Sequence, residues 1–305
     1  MELTPLTPEN YSTYKRYFIN QPYHLCAYSL SSIIAWQNSV YQALGGVLDD
    51  TLIIAAKFLK DTSKRHLILP IAPAKKFLPE QLALIAHDLN YAEYWFVPQC
   101  YIDIHGREVV REFFEIKHHE GYDDYIYLTQ DLMDLKGNRY SKKRNLIKQF
   151  QRRYVDQKRV VLAPITSETV DECLEFIEKW CEQRDCDAHP EEDLACEKLA
   201  ARNTLLNIDL YEVNTLMLRL DGVVSAIGVS AFLTSKMATL QYEKAYANIK
   251  GLYQYFDNQC AKRLFNGYTY INKESDMGST GLIQAKKSYH PVDMVRSYRL
   301  IRKMK

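Results

Sequence analysis

The chain contains 305 residues, of which 47% are hydrophobic and 25% are charged, a composition that is typical of globular proteins and excludes a disordered or fibrous chain. At about 150 residues per domain, this length predicts two domains. Because 39 Lys and Arg residues balance 38 Asp and Glu residues, the formal net charge is only +1, and an anionic partner would have to bind to a local basic patch.

The first half, residues 1–135, predicts an α+β domain. Its apolar spacing favours two helices, three strands, a helix and two further strands, at 8–19, 30–36, 40–48, 52–59, 66–71, 79–90, 94–97 and 117–128. Asp49-Asp50 is expected to turn the first pair of strands.

Residues 136–159 form a basic segment, with 136–157 predicted as a helix that links the halves. The segment holds ten Lys or Arg residues against one acid, Asp156, so its local charge is +9. At about 100° per residue, a basic stripe and an adjacent apolar stripe appear, formed by Arg144, Lys148 and Arg152 and by Tyr140, Ile147, Phe150 and Tyr154. The basic stripe either contacts ligand phosphate or is solvated beside the acidic stretch 168–197, and the sequence leaves both interpretations open.

The second half, residues 158–305, shows the same order more clearly. A strand, two helices, three strands, a helix, a strand, a helix and a strand are expected at 158–165, 167–184, 191–207, 210–220, 223–233, 236–245, 251–265, 268–272, 282–289 and 294–301. Asp221-Gly222 is a strong hairpin signal. This order resembles the Gcn5-related N-acetyltransferase fold. We therefore expect two such domains in tandem, each a mixed, mainly antiparallel sheet flanked by helices.

Two stretches of the second half carry candidate chemistry. After Glu243, a strand end, a short loop and Lys250-Gly251 precede a helix, an arrangement that suits a pyrophosphate or an acyl carbonyl, although a turn glycine explains it equally well. Further on, Glu274 and Asp276 lie on a polar loop at a strand end. A carboxylate there could take a proton from an amine or hydroxyl nucleophile. Alternatively, Asp276 only caps the next helix and Glu274 lies on a solvated turn.

A set of motifs resembles a family of mostly uncharacterised bacterial proteins named for the C-terminal cytosolic domain of phosphatidylglycerol lysyltransferases. The matching positions are Gly137-x-x-Tyr140-x-Lys142-Lys143-Arg144-Asn145, Glu243-Lys244-Ala245 and Asn272-x-Glu274-x-Asp276-x-Gly278-x-x-Gly281-Leu282-x-x-Ala285-Lys286-x-Ser288-Tyr289-x-Pro291. The similarity covers nearly the whole chain.

The resemblance implies tandem acyltransferase-like domains, as in the Fem transferases, and transfer of an aminoacyl group from a charged tRNA. Carried over by position, the reaction centre would contain Glu274, Asp276, Lys286 and Tyr289. The surrounding substrate-binding positions would be Lys142, Lys143, Arg144, Asn145, Glu243, Lys250, Gly251 and Asn272. The sequence departs from the family pattern at Ile283-Gln284, where a basic residue is expected after the second motif glycine, and this departure favours a different acyl donor.

The spacing of the cysteines, the N-terminal sequence and the length of the apolar stretches indicate where the protein is located and whether it binds a metal. The seven cysteines are scattered without a CxxC pair, which favours a reducing compartment. The N-terminus lacks a signal-peptide pattern, and the longest apolar stretch is about half of the roughly 20 residues needed to span a bilayer. We expect a cytoplasmic protein without a transmembrane segment. The group Cys181, Cys186, His189 and Cys196 matches no common zinc module, so no metal is expected.

The sequence therefore predicts an acyltransferase that moves an aminoacyl group from aminoacyl-tRNA to an amine or hydroxyl acceptor, such as a small molecule or a peptide. No resident cofactor is expected, and the basic segment 136–159 would contact the tRNA acceptor end. One alternative is an acyl-CoA-dependent N-acyltransferase that uses Lys250 and Gly251 for the pyrophosphate. Another is a non-catalytic binding module of the same fold.

Overall fold

A computed structural model describes residues 1–38, 40–61, 63–72, 76–183 and 193–303, apart from the side chains of 193–196. The helices are α1 Tyr11–Phe18, α2 Leu30–Ala35, α3 Pro79–Asp88, α4 Gln99–His105, α5 Arg107–Phe113, α6 Thr129–Asp134, α7 Ser141–Phe150, α8 Val170–Glu182, α9 Asp193–Leu206, α10 Leu252–Leu264 and α11 Thr280–Lys287. A π-helical turn, Gln151–Val155, continues α7, and a 3-10 turn, Cys26–Tyr28, precedes α2.

The strands form two sheets of seven strands each. They are β1 Thr4–Pro5, β2 Tyr41–Leu48, β3 Thr51–Phe58, β4 Arg65–Leu67, β5 Glu93–Pro98, β6 Phe114–His118, β7 Asp124–Leu128, β8 Val160–Ala163, β9 Val213–Leu220, β10 Val223–Thr234, β11 Met237–Ala245, β12 Tyr270–Asn272, β13 Asp293–Val295 and β14 Ser297–Arg302. The first sheet has the order β1-β2-β3-β4-β5-β14-β6, and the second has the order β13-β7-β12-β11-β10-β9-β8. The predicted α+β class, with two mixed, mainly antiparallel sheets flanked by helices, is confirmed.

The order of elements predicted for the two halves is also confirmed, because each half runs through two helices, three antiparallel strands, a helix and a strand. In each half that last strand pairs in parallel with the third strand, β5 with β4 and β12 with β11. Asp49 and Asp50 form the expected turn with φ of 46° and 56°. The sequence analysis did not predict α4, α5 and α6. The first two lie between the strands expected at 94–97 and 117–128, and α6 follows the second of those strands.

The two sheets exchange strands, which the sequence analysis missed. The closing strand predicted at 117–128 is two strands, of which β6 joins the first sheet and β7 joins the second. The final strand predicted at 294–301 is likewise two strands, and β14 inserts between β5 and β6 in the first sheet. These expectations were wrong because strand propensity reports where a strand forms and not which sheet it joins. The domain boundaries after 135 and 157 stay a prediction.

The buried core of the first half extends into the second sheet. The core of the first half includes Ile126, Leu233 and Met237 from the second sheet. The second sheet is covered on one face by α6, α7 and α10 and on the other by α8 and α9. Among the described helices, none has both the length and the apolar character that crossing a bilayer requires. Cytoplasmic location stays a prediction.

Candidate functional site

The candidate site lies where two parallel strands of the second sheet stop pairing. The last pair joins Thr239 of β11 to Asn272 of β12, and β11 continues to Ala245 without that partner. At the same level β11 carries a bulge at Gln241, since its register with β10 shifts between Leu240 and Tyr242. Bulges are common beside active sites because they redirect side chains. We call the space beyond this last pair the second gap, because it lies in the second sheet.

Glu274 lies at the second gap in an unusual backbone conformation. Its φ is +58°, a left-handed value that costs energy for a residue with a side chain. Its N–H donates to the Asn272 Oδ1 atom at 2.6 Å. Within the described part of the chain, its carboxylate makes no hydrogen bond or ion pair. Burial, together with the nearby Asp124 carboxylate, raises the pKa of Glu274 to about 8.

Lys286, on α11, holds this backbone in place. Its Nζ donates to the carbonyl oxygens of Lys273, Glu274 and Ser275, the last two at 3.0 and 2.6 Å. Burial lowers the pKa of Lys286, although the Glu274 and Asp124 carboxylates oppose that shift. Because three backbone oxygens use its ammonium protons, Lys286 orders the loop on which Glu274 lies.

Asp276 also stabilises the loop on which Glu274 lies. One carboxylate oxygen accepts the Tyr125 hydroxyl at 2.6 Å, and the other accepts the Gly278 N–H at 2.9 Å. The side chain is 8% exposed. Asp276 therefore orders the loop before α11 and does not cap that helix as the alternative interpretation expected, since the N-cap of α11 is Ser279. Glu274 is partly buried and so does not lie on a fully solvated turn.

Asp124, on β7, is a buried carboxylate that the sequence analysis did not single out. It is 1% exposed and accepts hydrogen bonds from the Cys26 N–H at 2.5 Å and from Asn272 Nδ2 at 2.8 Å. Burial raises its pKa, and these hydrogen bonds partly oppose that shift. No sequence signal pointed to Asp124, because it lies in an ordinary strand far from the motif in sequence and reaches it only through the strand exchange.

A second polar cluster lies on β11, α10 and the residue before Glu274. The Lys273 Nζ atom contacts the Asp257 carboxylate and lies 3.6 Å from Glu243 Oε2, so the Lys273–Glu243 pair spans the second gap. Burial and the Asp257 carboxylate raise the pKa of Glu243 to about 8. Burial alone would lower the pKa of Lys273, but the two carboxylates raise it above its ordinary value.

Tyr289 and Lys143 belong to this second cluster. Lys143 Nζ lies 3.8 Å from the centre of the Tyr289 ring and donates to the Ser288 hydroxyl at 2.7 Å. Burial raises the pKa of Tyr289, and the Asp257 and Glu243 carboxylates raise it further. The structure therefore brings Tyr289 to Asp257 and Glu243, whereas Glu274 and Lys286 lie together beside Asp124.

The basic segment has the predicted amphipathic form. Tyr140, Ile147 and Phe150 are buried, and Lys148 and Arg152 are exposed. The other predicted binding positions in this segment divide into two groups. Lys142 and Asn145 are exposed, while Arg144 donates to the carbonyl oxygens of Leu135 and Gly137.

Lys250 and Gly251 lie at the start of α10. Lys250 is exposed, and Gly251 is buried with a φ of +83°. A Cβ atom at Gly251 would collide with the Leu146 carbonyl oxygen of α7, so glycine is required both for its conformation and for this close packing. Part of the expected anion site is therefore covered by another helix.

Residues of the first half complete the surroundings of the site. Gln241 Nε2 donates to the Ser31 and Ser32 hydroxyls at 3.0 and 2.5 Å, and the His24 carbonyl accepts from Asn272 Nδ2 at 2.8 Å. A groove of about 720 Å³ lies between the halves, lined by His24, Ile126, Tyr270 and Asp293 among others. The site is thus built at the junction of the two halves.

Within the described ranges, no group of His, Cys, Asp and Glu side chains has a geometry that could hold a metal ion. The group considered as a zinc site, Cys181, Cys186, His189 and Cys196, falls largely outside those ranges, because 184–192 and the side chain of Cys196 are not described.

Comparison with known proteins gives a family match and a shared fold. Residues 68–301 match the family model for the C-terminal region of phosphatidylglycerol lysyltransferase. A conserved protein of unknown function from Bacteroides thetaiotaomicron is 26% identical, with a TM-score of 0.86 over 99% of this chain and 100% of that one. The C-terminal domain of a putative lysylphosphatidylglycerol synthetase from Agrobacterium fabrum is 11% identical, with a TM-score of 0.60 over 90% of this chain and 87% of that one. A search of curated proteins found no match.

Proposed function

The chain belongs to the family of phosphatidylglycerol lysyltransferase C-terminal domains and is a transferase of the acyltransferase type, and from that premise we propose that it moves an aminoacyl group from aminoacyl-tRNA to an amine or hydroxyl acceptor. The observation that carries this proposal is the Glu274 carboxylate. It is partly buried at the second gap and held on a clamped loop, and it makes no hydrogen bond or ion pair with the described residues.

Glu274 is the general base of the proposed reaction. With a pKa of about 8, Glu274 in its ionised form is a strong base for a carboxylate, and that form becomes more populated as the pH approaches 8, which suits an amine or hydroxyl nucleophile. As the acceptor attacks the ester carbonyl carbon, its proton passes to Glu274 and a new acyl bond forms. The bond between that carbon and the ribose oxygen then breaks, and Glu274 returns the proton to the ribose oxygen.

Lys286 positions Glu274 in this mechanism. Its ammonium protons are used by three backbone carbonyls, so we assign it the role of fixing the loop. Lys273 supplies a permanent positive charge at the second gap, because Asp257 and Glu243 keep its pKa raised. A fixed cation beside the gap would stabilise the negative charge that develops on the carbonyl oxygen.

The basic segment suits contact with the tRNA acceptor end. Lys148 and Arg152 are exposed, and Lys143 lies at the inner side of α7 against Tyr289. Positive charge thus extends from the helix surface to the cluster that borders the second gap. Lys and Arg contacts to phosphate would position the acceptor end without reading its sequence.

Acyl-CoA is the weaker donor candidate. A pyrophosphate would need the backbone N–H groups at the start of α10, but Gly251 packs there against the Leu146 carbonyl. This packing favours aminoacyl-tRNA as the donor.

Binding of labelled total tRNA, charged and uncharged, tests the proposal. We expect the charged pool to bind more tightly. We also expect Lys148→Glu/Arg152→Glu to weaken binding and reduce the dependence of log K on log[salt] by about 1 to 2, because each lost phosphate contact removes about 0.7 to 0.9 from the slope. The matched control is Lys117→Glu/Lys303→Glu, which changes two exposed lysines, one on β6 and one directly after β14, and should change neither quantity. Thermal protection by acetyl-CoA without tRNA binding would instead support an N-acyltransferase, and no response to either ligand would support a binding module.

A further inference from the structure

A hydrogen-bond chain links the buried Asp124 to the backbone of Glu274. The Asp124 Oδ2 atom accepts from Asn272 Nδ2 at 2.8 Å, and the Asn272 Oδ1 atom accepts from the Glu274 N–H at 2.6 Å. The second Nδ2 hydrogen goes to the His24 carbonyl at 2.8 Å. Asn272 is fully buried, so its carboxamide is held from three sides and has one orientation.

The first half of the chain holds the other end of this link. The Cys26 N–H donates to Asp124 at 2.5 Å, and the Cys26 Sγ atom lies 3.4 Å from the other carboxylate oxygen. Both Cys26 and His24 precede α2, whereas Asn272 and Glu274 follow β12. The chain of contacts therefore crosses the junction between the halves.

We propose that Asp124 is a positioning residue for Glu274, which fixes the Glu274 backbone through Asn272 and whose carboxylate acts on the Glu274 side chain. This inference rests on the proposed role of Glu274 as the base. It assigns control of the pH response of the site to a buried residue of β7, a strand that passes from the first half into the second sheet.

The backbone of Glu274 needs such support. A left-handed residue with a side chain is strained by about 1 kcal/mol or more and persists only where its surroundings hold it. Asn272 holds its N–H, and Lys286 holds its carbonyl. Without Asn272 in the orientation that Asp124 imposes, one of these two restraints is lost.

The charges around Glu274 single out Asp124. The titratable groups that act on Glu274 from the elements around it include Asp124, Lys286, Glu197 and Lys244. The Tyr242 phenol on β11 and the Cys26 thiol beside Asp124 also interact with it. Lys244 contacts Glu197 at 2.5 Å, so these two charges largely cancel. Lys286 keeps its positive charge while it donates to backbone carbonyls, and this charge opposes the effect of Asp124 on Glu274. Asp124 is the carboxylate in this group without a cationic partner within 4 Å among the described residues, so it disfavours a second negative charge on Glu274.

The test is ¹³C NMR titration of the protein labelled with carboxyl-¹³C glutamate. Glu274→Gln and Glu243→Gln assign the two resonances that titrate near pH 8. Asp124→Asn should move the Glu274 midpoint down by about one pH unit or more, because it removes the neighbouring negative charge. The matched control is Asp123→Asn, one residue away, whose carboxylate contacts His118 and the Ser297 N–H; it should leave the midpoint unchanged.

Hydrogen exchange on the unmodified protein supplies a second measurement if Asp124→Asn does not fold. The Glu274 amide should exchange slowly because Asn272 Oδ1 accepts its hydrogen, and Asn272→Ala should speed that exchange at least tenfold. An unprotected Glu274 amide, or an Asp124→Asn midpoint equal to that of the parent, overturns the inference. Neither measurement requires transfer activity, so the two failures are distinguishable: a negative tRNA experiment refutes the proposed function, whereas an unchanged midpoint or an unprotected amide refutes the link from Asp124 to Glu274.

Discussion

In each sheet two parallel strands stop pairing in the same way, but different side chains fill the space between them. In the first sheet the last parallel pair is Leu67–Tyr94, and two residues later Phe96 has a φ of +55°. In the second sheet the last parallel pair is Thr239–Asn272, and two residues later Glu274 has a φ of +58°. Both halves therefore make a gap between parallel strands with a left-handed residue at its edge.

The first gap is closed by a neutral side chain. The Tyr28 hydroxyl donates to the Phe96 carbonyl at 3.1 Å and accepts the Leu69 N–H at 3.2 Å, so it joins the two strands where they diverge. Tyr28 is 1% exposed. The first gap is thus filled by a tyrosine that satisfies backbone groups.

Charged side chains fill the second gap. The Lys286 ammonium donates to the carbonyl of Glu274, and Glu274 corresponds in position to Phe96 of the first gap. The Lys273–Glu243 ion pair spans the two strands. Charged groups in such a place are costly to bury, which is a reason to expect a function for them. The same local geometry thus holds a neutral hydroxyl in one half and charged groups in the other.

The largest effect on stability is expected from the clamp of the second gap. Lys286→Met removes a charged donor from three carbonyls, and we expect a loss of about 2 to 4 kcal/mol in the free energy of unfolding. Urea denaturation measures this change. Lys287→Met is the matched control, since Lys287 is exposed, and it should change stability by less than about 0.5 kcal/mol. Equal effects of the two variants would mean that Lys286 does not hold the loop.

The two regions should respond to pH with opposite signs. Near the first gap, burial lowers the pKa of His66 from 6.5 to about 3, and its ring stacks 4.1 Å from that of Trp95. As the pH falls from 6.5 towards 3, the unfolded chain gains a proton there that the folded chain does not. Stability is therefore complete above pH 6.5 and declines below it, by up to about 1.4 kcal/mol per pH unit for this group.

At the second gap the sign is reversed. The folded pKa of Glu274 is raised from 4.5 to about 8, so the folded protein keeps a proton that the unfolded chain loses above pH 4.5. Its contribution to stability therefore declines as the pH rises from 4.5 to 8. Hydrogen exchange at pH 5 and pH 7 should show β4 less protected at pH 5, and the 273–276 loop less protected at pH 7. Changes of one sign in both regions would contradict the comparison, and His66→Phe should remove the acid response of β4 alone.

A smaller effect is expected when only the hydroxyl of the first gap is removed. Tyr28→Phe keeps the ring but leaves the Leu69 N–H and the Phe96 carbonyl without that partner, which should cost about 1 to 3 kcal/mol. Urea denaturation measures the loss, and binding of charged tRNA should be unchanged. Tyr101→Phe is the matched control for a buried tyrosine that donates to a single carbonyl, that of Phe77. A loss of tRNA binding in Tyr28→Phe would show that the first gap also takes part in function.

Sequence patterns located most elements of both halves but not the contacts between them. Apolar spacing and turn residues predicted the helices and strands, because burial on one face imposes a period. The exchange of β7 and β14 between the sheets left no such periodic signal. Asp124 and Cys26 reach the site only through that exchange, so neither was predicted, whereas Glu274 and Lys286 were named because they share one motif.

The smallest effect on transfer is expected at Asp276, which tests whether the two carboxylates of the motif differ in role. Asp276→Asn keeps an oxygen for the Gly278 N–H, and Tyr125 can accept from the new amide, so transfer should fall by less than about threefold. Glu274→Gln cannot take a proton and should lower the rate by about 10² or more. Single-turnover transfer from the charged tRNA pool compares the two variants. If Asp276→Asn proved as inactive as Glu274→Gln, the division of the motif into a reactive and a structural carboxylate would be wrong.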